Sequence, residues 1–444
     1  MESFDDLEIA RHVEPPKNIP TPEAAEAAEA SFFAETNSSA GLGDDRKVFG
    51  VLREDRRRHM YVIGKTGVGK TKLLEHLIRS DIYYGHGICV VDPSGDLVND
   101  LIDFIPKERI GDVIVLNPSD HKNPVAWNPL SNIPVPERHH VVAGIVEVFS
   151  RLFGAQWNPR AEHLLRFALL ALLDHSEASF VNLLTFIANA EYRTKVLEVV
   201  QDGMVKRFWQ NDFVNWTTSE DRTAVSALIN TLTSFLSHPA LHAVFSGAEN
   251  KIDIEAAVRD GKILLVTVSK GALGDINASI FGSLFLAMFK RAVLRRGVNA
   301  AGTRADYYLY VDEFQNVATD SFLALLSEAG RYGVCITASN QYLGQLAPAL
   351  KHSMLGNVAT LISFQVSAED AAFLEKEFSP QVELRDMINL PAQEFYIKLS
   401  IKGRRFDPFS ASTLGVDKPK WASERVAIEA ACNAKYSRKI DGGK

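Results

Sequence analysis

Eight consecutive residues have the types and the spacing of a phosphate-binding loop. The pattern G-x-x-x-x-G-K-[ST] is matched in full by Gly64, Lys65, Thr66, Gly67, Val68, Gly69, Lys70 and Thr71. In such a loop the glycines let successive backbone N–H groups point at phosphate oxygens, at the start of a helix whose dipole favours anions. Lys70 is placed to reach the outer phosphates, and Thr71 offers a hydroxyl to Mg²⁺. The motif therefore predicts a site for ATP with Mg²⁺.

Two adjacent acids follow a later apolar run. The run is Tyr308–Val311, and the acids are Asp312 and Glu313. Two acids after a strand, taken alone, are more often a solvated strand end. Together with the glycine loop they predict that Asp312 holds the Mg²⁺ shell and that Glu313 orients or deprotonates the attacking water. A second acid of this kind favours hydrolysis, because a phosphoryl-transfer enzyme has reason to exclude water.

The next apolar run, Val334–Thr337, is flanked by polar residues on both sides. It continues into Asn340 and Gln341, and Arg331 lies on the loop that enters it. A polar residue at the end of a strand beside the acidic strand lies near the γ-phosphate, so Gln341 is the candidate sensor and Asn340 the second choice. Arg331 is either a surface arginine or an arginine finger that reaches the nucleotide of a neighbouring subunit.

The elements that must position these residues alternate between strands and helices. The loop follows the apolar run Met60–Ile63 and opens a helical stretch at Lys70–Tyr83, and similar short β-rich runs occur at Ile88–Val91, Val113–Leu116, Ile263–Val268, Tyr308–Val311, Val334–Thr337 and Thr360–Phe364. Runs that are apolar on both faces indicate an α/β core with a mainly parallel sheet. Between about 137 and 245 the strand signal vanishes and apolar residues recur at helical spacing, which predicts an inserted all-α domain.

The N-terminal 45 residues differ from the rest in charge. They contain eleven acids and two bases, so they contribute −9 to a formal net charge of −7 and leave +2 for the remainder. A near-neutral body can still present a basic channel. Thr21-Pro22-Glu23 has the residues of a helix start, and the run after it ends in Phe32-Phe33. We expect either a solvated tail that frays or a short helix that docks these phenylalanines on a neighbour.

Several other classes of protein are disfavoured. The most apolar long stretch, Ile280–Leu294, is interrupted by Ser283, Lys290 and Arg291, and the N-terminus has no signal-like segment, so we expect no membrane insertion. Neither the N-K-x-D motif of GTPases nor a G-x-G-x-x-G fingerprint after a strand occurs, and no transition-metal site is predicted. Three cysteines, Cys89, Cys335 and Cys432, are far apart in the sequence, and the two in apolar strand-like runs, Cys89 and Cys335, read as small core residues. This pattern fits a reducing cytoplasm, with neither a disulfide framework nor a zinc site.

At this point the sequence resembles the conjugative DNA-transfer coupling proteins of type IV secretion, within the HerA–FtsK superfamily of P-loop ATPases. The likeness extends from about Val48 to about Leu414 and is carried by Arg56-Arg57-Arg58-His59-Met60-Tyr61, Asp92-Pro93-Ser94-Gly95-Asp96-Leu97, Asn128-Pro129-Leu130, Arg160-Ala161-Glu162-His163-Leu164-Leu165-Arg166, Val311-Asp312-Glu313-Phe314-Gln315, Gly330-Arg331-Tyr332-Gly333 and Ser339-Asn340-Gln341. The resemblance implies a RecA-like motor that forms a hexameric ring around DNA and binds ATP between subunits. Arg331 would complete the neighbour's site, and Gln341 would sense the γ-phosphate.

The resulting domain prediction has five segments: an acidic, flexible tail (1–45), the first part of the RecA-like motor (46–135), the all-α domain (136–247), the second part of the motor (248–415), and a C-terminal helix and tail (416–444). The predicted function is a soluble DNA translocase with a relaxase or secretion-system protein as a further partner. Alternatives are an ATPase of the same fold in a protein-transport, defence or packaging complex, and a nucleotide-gated scaffold, which has little need of Glu313. The basic residues Arg56–His59 and Lys402, Arg404 and Arg405 are either solvated or subunit-facing patches or DNA contacts.

Overall fold

The computed structural model describes residues 10–26, 29–37, 46–153, 157–298, 304–419 and 421–438. Three parts of the predicted tail, at 1–9, 27–28 and 38–45, and the end of the predicted C-terminal segment, at 439–444, lie outside the described residues.

One large sheet forms the centre of the described chain. The strands are β1 Ala30–Thr36, β2 Val48–Leu52, β3 Met60–Ile63, β4 Gly87–Asp92, β5 Val113–Leu116, β6 Ile263–Thr267, β7 Tyr307–Val311, β8 Val334–Asn340, β9 Thr360–Ser363, β10 Glu394–Lys398, β11 Ser400–Ile401, β12 Arg404–Arg405 and β13 Phe409–Thr413. Among the described residues, eleven strands form one sheet in the order β2-β1-β13-β10-β9-β3-β8-β7-β4-β6-β5, and β11 pairs with β12. Neighbours from β9 to β5 are parallel, and the strands on the other side of β9 are antiparallel.

The seven strands predicted from apolar runs are confirmed and make up the parallel part of the sheet. Strands β3 and β5 have the predicted bounds, and β8 extends beyond its predicted end to Asn340. Every residue of β3, β4, β7 and β8 is buried, although successive residues point to opposite faces. Both faces of the sheet are therefore covered, which is why these strands read as unbroken apolar runs.

Helices connect the strands. They are α1 Arg53–Arg56, α2 Lys70–Tyr83, α3 Asp96–Ile102, α4 Arg138–Phe153, α5 Pro159–Leu172, α6 Phe180–Ala188, α7 Ala190–Val199, α8 Gly203–Arg207, α9 Ser219–Leu236, α10 Pro239–Phe245, α11 Ile254–Arg259, α12 Lys270–Leu273, α13 Asp275–Arg295, α14 Asp320–Glu328, α15 Pro348–Asn357, α16 Ala368–Phe378, α17 Leu384–Ile388 and α18 Arg425–Tyr436. The bounds of α2 are those predicted.

The inserted all-α domain is confirmed between β5 and α11, where the described residues form helices α4 to α10 and no strand. Side-chain caps set several of its helix starts, as when Thr218 and Asp221 form a reciprocal capping box at α9. Its core contains a cluster of four rings in which contacting pairs have centroids 5.3 to 6.2 Å apart: Phe149, Phe180, Phe235 and Phe245. The limits at residues 136 and 247 remain predictions.

The N-terminal segment contradicts the prediction of a solvated tail or a docking helix. Ala24 and Ala25 donate backbone hydrogen bonds to Thr21 O at 3.0 Å, which makes a single turn, and Ala30–Thr36 then forms strand β1 between β2 and β13. Phe33 is fully buried and its ring lies 5.9 Å from that of Phe49. The described residues of the alanine-rich run do not form a helix, because burying Phe33 and pairing β1 on both sides outweigh local helix propensity.

Helix α13 is the one described helix that is long and apolar enough to cross a membrane by length and composition. In this fold 67% of its most apolar window is buried inside the protein. The helix packs on α4 and α11, and a Cβ at Gly282 would lie 2.4 Å from Val317 Cγ1, so the glycine permits close approach to the segment after β7. The apolar character of α13 is therefore accounted for by packing within the chain.

The prediction that Cys89 and Cys335 are core residues is confirmed, and Cys432 is buried as well. Cys432 lies on α18, and its Sγ donates to Val113 O at 3.3 Å. Helix α18 thereby packs on β5, the last strand of the sheet on that side.

Candidate active site

The predicted phosphate loop connects β3 to α2. Gly67 and Gly69 have φ values of 80° and 115°, in the left-handed region that favours glycine. A Cβ at Gly64 would lie 2.5 Å from Phe364 Cβ, so this position also requires glycine, for close packing against the residue after β9. Lys65, Thr66, Gly67 and Thr71 are exposed. The loop is thus held at its base by the sheet and open to solvent at its tip.

The Lys70 side chain folds back over the loop. Its Nζ donates to Gly64 O at 2.7 Å and to Lys65 O at 2.9 Å. Burial lowers the pKa of the Lys70 amine, while Glu313 and Asp312 act in the opposite direction. Lys70 therefore interacts electrostatically with both acids, although each lies more than 240 positions away from it in the chain.

Asp312 follows β7 and is only 6% exposed. One carboxylate oxygen, Oδ1, accepts from Ser339 Oγ and from Glu313 N, the latter at 3.0 Å. Burial raises the pKa of Asp312 to about 6, and the nearby charges of Glu313 and Asp92 add to that effect, while the Ser339 hydrogen bond and Lys70 oppose it. The site thus contains a buried carboxylate whose negative charge is incompletely compensated by the chain.

Glu313 is half-buried and has a φ of 44°, which is rare for a residue other than glycine. Gln315 Nε2 donates to its Oε2 at 2.6 Å. The residue begins a short 3₁₀ turn, Phe314–Asn316, immediately after the acidic pair.

The end of β8 lies beside the loop, because Ile63 pairs with Asn340 in parallel register. The Asn340 amide is buried and used within the chain: its Oδ1 accepts from Tyr61 OH at 2.5 Å and its Nδ2 donates to Tyr342 O at 3.0 Å. Gln341, the next residue, is half-buried. This geometry favours Gln341 over Asn340 as a contact for a ligand, and the sensor role itself stays a prediction.

Arg331 lies away from the other predicted residues. It is exposed on the 3₁₀ turn Ala329–Tyr332, before β8, whereas the phosphate loop lies beyond the other end of that strand. Seven residues of strand span roughly 20 Å. Arg331 therefore lies at the amino ends of the parallel strands, whereas its own phosphate loop lies at their carboxyl ends.

The surroundings of Arg331 are strongly basic. A cavity of about 650 Å³ there is also lined by Arg57, Arg58 and Arg405. Arg58 Nη1 donates to Gly403 O at 2.9 Å, which joins the two basic segments that the sequence showed far apart. Gly403 lies between the paired strands β11 and β12. A Cβ at Gly330 would lie 2.3 Å from Arg57 O, so position 330 requires glycine for this packing.

Sequence reasoning missed Ser339, which contacts Asp312, and Asp92, which contributes to its environment. Asp92 ends β4 and accepts from Ser94 Oγ at 2.8 Å and Val98 N at 3.0 Å. Ser339 and Asp92 lie at the carboxyl ends of β8 and β4, the two parallel strands next to β7. That position is the signal that could have identified them, since such ends meet at one edge of a sheet.

The donor set can be tested against Mg²⁺. Mg²⁺ keeps several waters and uses one or two protein oxygens together with substrate phosphates. A threonine hydroxyl and one incompletely compensated buried carboxylate fit that requirement. No group of three or more His, Cys, Asp or Glu residues that could hold a metal occurs in the part of the chain that the structure describes.

The sequence matches one family model, described as type IV secretion-system coupling protein DNA-binding domain, over residues 50–388. No curated protein is significantly similar to this chain.

Solved structures share the fold. The unbound conjugative coupling protein TrwBΔN70 has a TM-score of 0.61 at 16% identity, over 84% of this chain and 88% of its own. TrwB with the non-hydrolysable ATP analogue ADPNP gives 0.62 at 16% identity, over 84% and 88%. VirB4 of Thermoanaerobacter pseudethanolicus gives 0.61 at 13% identity, over 91% and 99%. At such low identities the likeness shows a common fold.

Proposed function

This chain belongs to the family of type IV secretion-system coupling proteins, and we propose that it is an ATP-hydrolysing motor that translocates DNA. The observation that carries the proposal is the grouping of the loop Gly64–Thr71 with Asp312 and Glu313, whose charges act on the buried Lys70 amine. The TrwB structures with ADPNP and with ADP and Mg²⁺ support ATP and Mg²⁺ as ligands here as well.

Each residue has a distinct task in this proposal. The loop N–H groups and Lys70 bind the ATP phosphates, and Lys70 exchanges its two loop carbonyls for phosphate oxygens. Thr71 and Asp312 would hold Mg²⁺, which when bound offsets the negative charge of the phosphates. Glu313 accepts a proton from the attacking water, and Gln341 contacts the γ-phosphate. Buried surroundings strengthen these electrostatic interactions.

The position of Arg331 supports a ring assembly. An arginine about 20 Å from its own phosphate loop cannot complete that site, but it can complete the site of a second copy whose loop edge faces it. The basic cavity with Arg58 and Arg405 gives this edge a surplus of positive charge toward a nucleotide in the neighbouring subunit. We propose a hexamer, in keeping with the resemblance, with ATP at each subunit interface.

DNA is the proposed cargo, and a relaxase or secretion-system protein the proposed partner in the cytoplasm. The family description as the DNA-binding domain of a type IV secretion-system coupling protein supports DNA and a secretion-system partner. The relaxase is proposed from the resemblance alone. The division of the chain into a motor, an inserted helical domain and terminal segments fits such a machine.

The main test is ATP hydrolysis with and without single-stranded and double-stranded DNA. We expect DNA to stimulate the wild type, and we expect Lys70→Ala and Glu313→Gln to lose about 100-fold or more in kcat. Glu313→Gln should still bind nucleotide. Lys195→Ala, which removes an exposed lysine in the all-α domain, is the matched control and should behave as wild type. Hydrolysis that no DNA accelerates would contradict the translocase while leaving the ATPase standing.

Subunit mixing tests Arg331. If the arginine acts across an interface, Lys70→Ala and Arg331→Ala proteins are each inactive alone. Mixed rings regain hydrolysis, because some interfaces then combine an intact Lys70 with an intact Arg331. Failure to regain activity in rings shown to be mixed would contradict the role in trans.

A further inference from the structure

Gln315 contacts the carboxylate of the proposed base. Its Nε2 donates to Glu313 Oε2 at 2.6 Å, and both side chains are half-buried. The two residues are only two positions apart, and the 3₁₀ turn Phe314–Asn316 brings their side chains together. The hydrogen bond therefore depends on the local turn and needs no distant element to form.

The backbone of Glu313 is held separately from its carboxylate. Asn316 Nδ2 donates to Glu313 O at 2.9 Å, and Lys270 Nζ donates to Asn316 Oδ1 at 2.7 Å. Phe314 is fully buried, with its ring 6.0 Å from Tyr61 and 5.8 Å from Phe322. These contacts fix the main chain in its left-handed conformation, and Gln315 restrains the carboxylate that the turn presents.

The arrangement of Gln315 and Glu313 lowers the stability of the fold in two ways that packing alone would not require. Gln315 Oε1 is buried without a hydrogen-bond partner among the described residues. A buried acceptor left unpaired lowers stability, and the left-handed backbone of Glu313, a residue other than glycine, lowers it further. Unpaired polar atoms and unusual backbone angles together are typical of functional sites.

We propose that Gln315 is a positioning residue that orients the Glu313 carboxylate toward the attacking water; the inference rests on the proposed ATPase function. The water oxygen forms a bond to the γ-phosphorus as the bond from that phosphorus to the bridging oxygen breaks. The water proton passes to the Glu313 carboxylate, and the products are ADP and inorganic phosphate. The Gln315 amide keeps its protons throughout. Being neutral, it orients the carboxylate without the charge pairing that a lysine or arginine would bring.

Gln315→Met tests the role, because methionine nearly preserves the volume and removes the donor. In the full chain with DNA present, we expect kcat for ATP to fall by about 10- to 100-fold, while KM for ATP and the affinity for ADP change less than about twofold. Gln201→Met is the control, because Gln201 also donates a side-chain hydrogen bond, to Val199 O at 2.9 Å, and it lies after α7 in the all-α domain. Gln315→Glu is the second variant if Gln315→Met does not fold, and it should lose at least as much kcat.

A double-mutant cycle separates positioning from a general structural role. If Gln315 acts through Glu313, adding Gln315→Met to Glu313→Gln lowers the residual rate little further. A multiplicative loss in that background would overturn the proposal, as would an unchanged or increased kcat in Gln315→Met with Glu313 intact. Wild-type hydrolysis in Glu313→Gln alone would instead contradict the proposed base, so the two failures are distinguishable.

Discussion

Two buried aspartates near strand β7 differ in how the chain compensates their charge. Asp81 on α2 accepts hydrogen bonds from Arg53 at 2.6 Å, from Arg56 at 2.8 and 3.0 Å, and from Tyr310 OH at 2.5 Å. Asp312 accepts only from a serine hydroxyl and one backbone N–H among the described residues, and its pKa is raised to about 6. Asp81, Arg53, Arg56 and Tyr310 are called the Asp81 cluster below. Strand β7 relates this cluster to Asp312, because side chains two positions apart on a strand point to the same face, as those of Tyr308, Tyr310 and Asp312 do.

We interpret the charge of Asp81 as structural and that of Asp312 as the one proposed to hold Mg²⁺. Buried charges are tolerated when they are paired and hydrogen-bonded. The Asp81 cluster meets that condition within the chain, with the Arg56 guanidinium also 4.1 Å from the Tyr308 ring centroid. Asp312 meets it poorly, which is expected of a carboxylate that a bound cation completes.

The largest predicted effect is on the Asp81 cluster. Asp81→Ala removes the carboxylate that pairs with Arg53 and Arg56 and leaves two largely buried guanidinium groups near each other. We expect the free energy of unfolding to fall by about 3–5 kcal/mol, measured by urea denaturation. Asp260→Ala removes the half-exposed partner of Arg259 and should cost less than about 1 kcal/mol. Similar losses in the two variants would contradict the comparison.

The second prediction concerns His59, a buried group that has no charged partner among the residues that the structure describes. Burial lowers its pKa to about 4, and its Nδ1 accepts from Ile336 N at 3.1 Å. Below the unfolded pKa of about 6.5 the unfolded chain binds a proton that the native state does not, so stability falls as pH drops from about 6.5 to about 4, by up to roughly 3 kcal/mol.

His59→Asn is the matched variant for this test. Asparagine tolerates the left-handed φ of 65° and can keep an acceptor for Ile336 N, but it does not titrate. Denaturation of both proteins at pH 7 and pH 4.5 should show a smaller loss in the variant. Equal losses would rule out His59 as the cause.

The third prediction concerns Asp312, whose effect on stability has the opposite pH dependence to that of His59. Because the folded pKa of Asp312 lies above its unfolded value, its charge destabilises the protein above about pH 6, and this penalty disappears as pH falls below about 4. Asp312→Asn should therefore raise the free energy of unfolding at pH 7 without Mg²⁺ by about 1–3 kcal/mol, and the gain should vanish near pH 4. Hydrolysis should fall about 100-fold. A variant less stable than wild type at pH 7 would show that the chain compensates Asp312 fully.

The smallest predicted effect tests how β1 joins the Asp81 cluster. Arg56 Nη1 donates to Ser31 Oγ at 3.0 Å, and both residues are buried. Ser31→Ala should cost about 1–2 kcal/mol, as expected for a hydrogen bond to a charged group. Ser327→Ala, at an exposed hydroxyl on α14, should be nearly neutral. An equally neutral Ser31→Ala would mean that β1 is attached through its backbone and Phe33 alone.

The parts of the fold that the sequence predicted share a local signal. Strands β3 and β5 and helix α2 have the predicted bounds, because fully buried strands read as unbroken apolar runs and α2 begins at the lysine of the loop motif. The prediction of a tail or a helix where β1 lies was wrong. A run rich in alanine and glutamate has helical propensity, and only pairing with β2 and β13 makes this segment a strand. Gln315 and Ser339 belong to quoted motifs, but their contacts depend on the turn after β7 and on the adjacency of β7 and β8.

By itself the sequence determined the residue types: a glycine loop that only a few backbone conformations allow, a lysine and two acids with ATPase chemistry, and motifs that identify the family. Those features are local, so they can be read without coordinates. Tertiary structure alone decided which charges are compensated. It paired Asp81 with two arginines and left Asp312 incompletely satisfied, and it placed Arg331 at the far edge of the sheet. Burial and pairing depend on residues distant in the chain, and no local pattern encodes them.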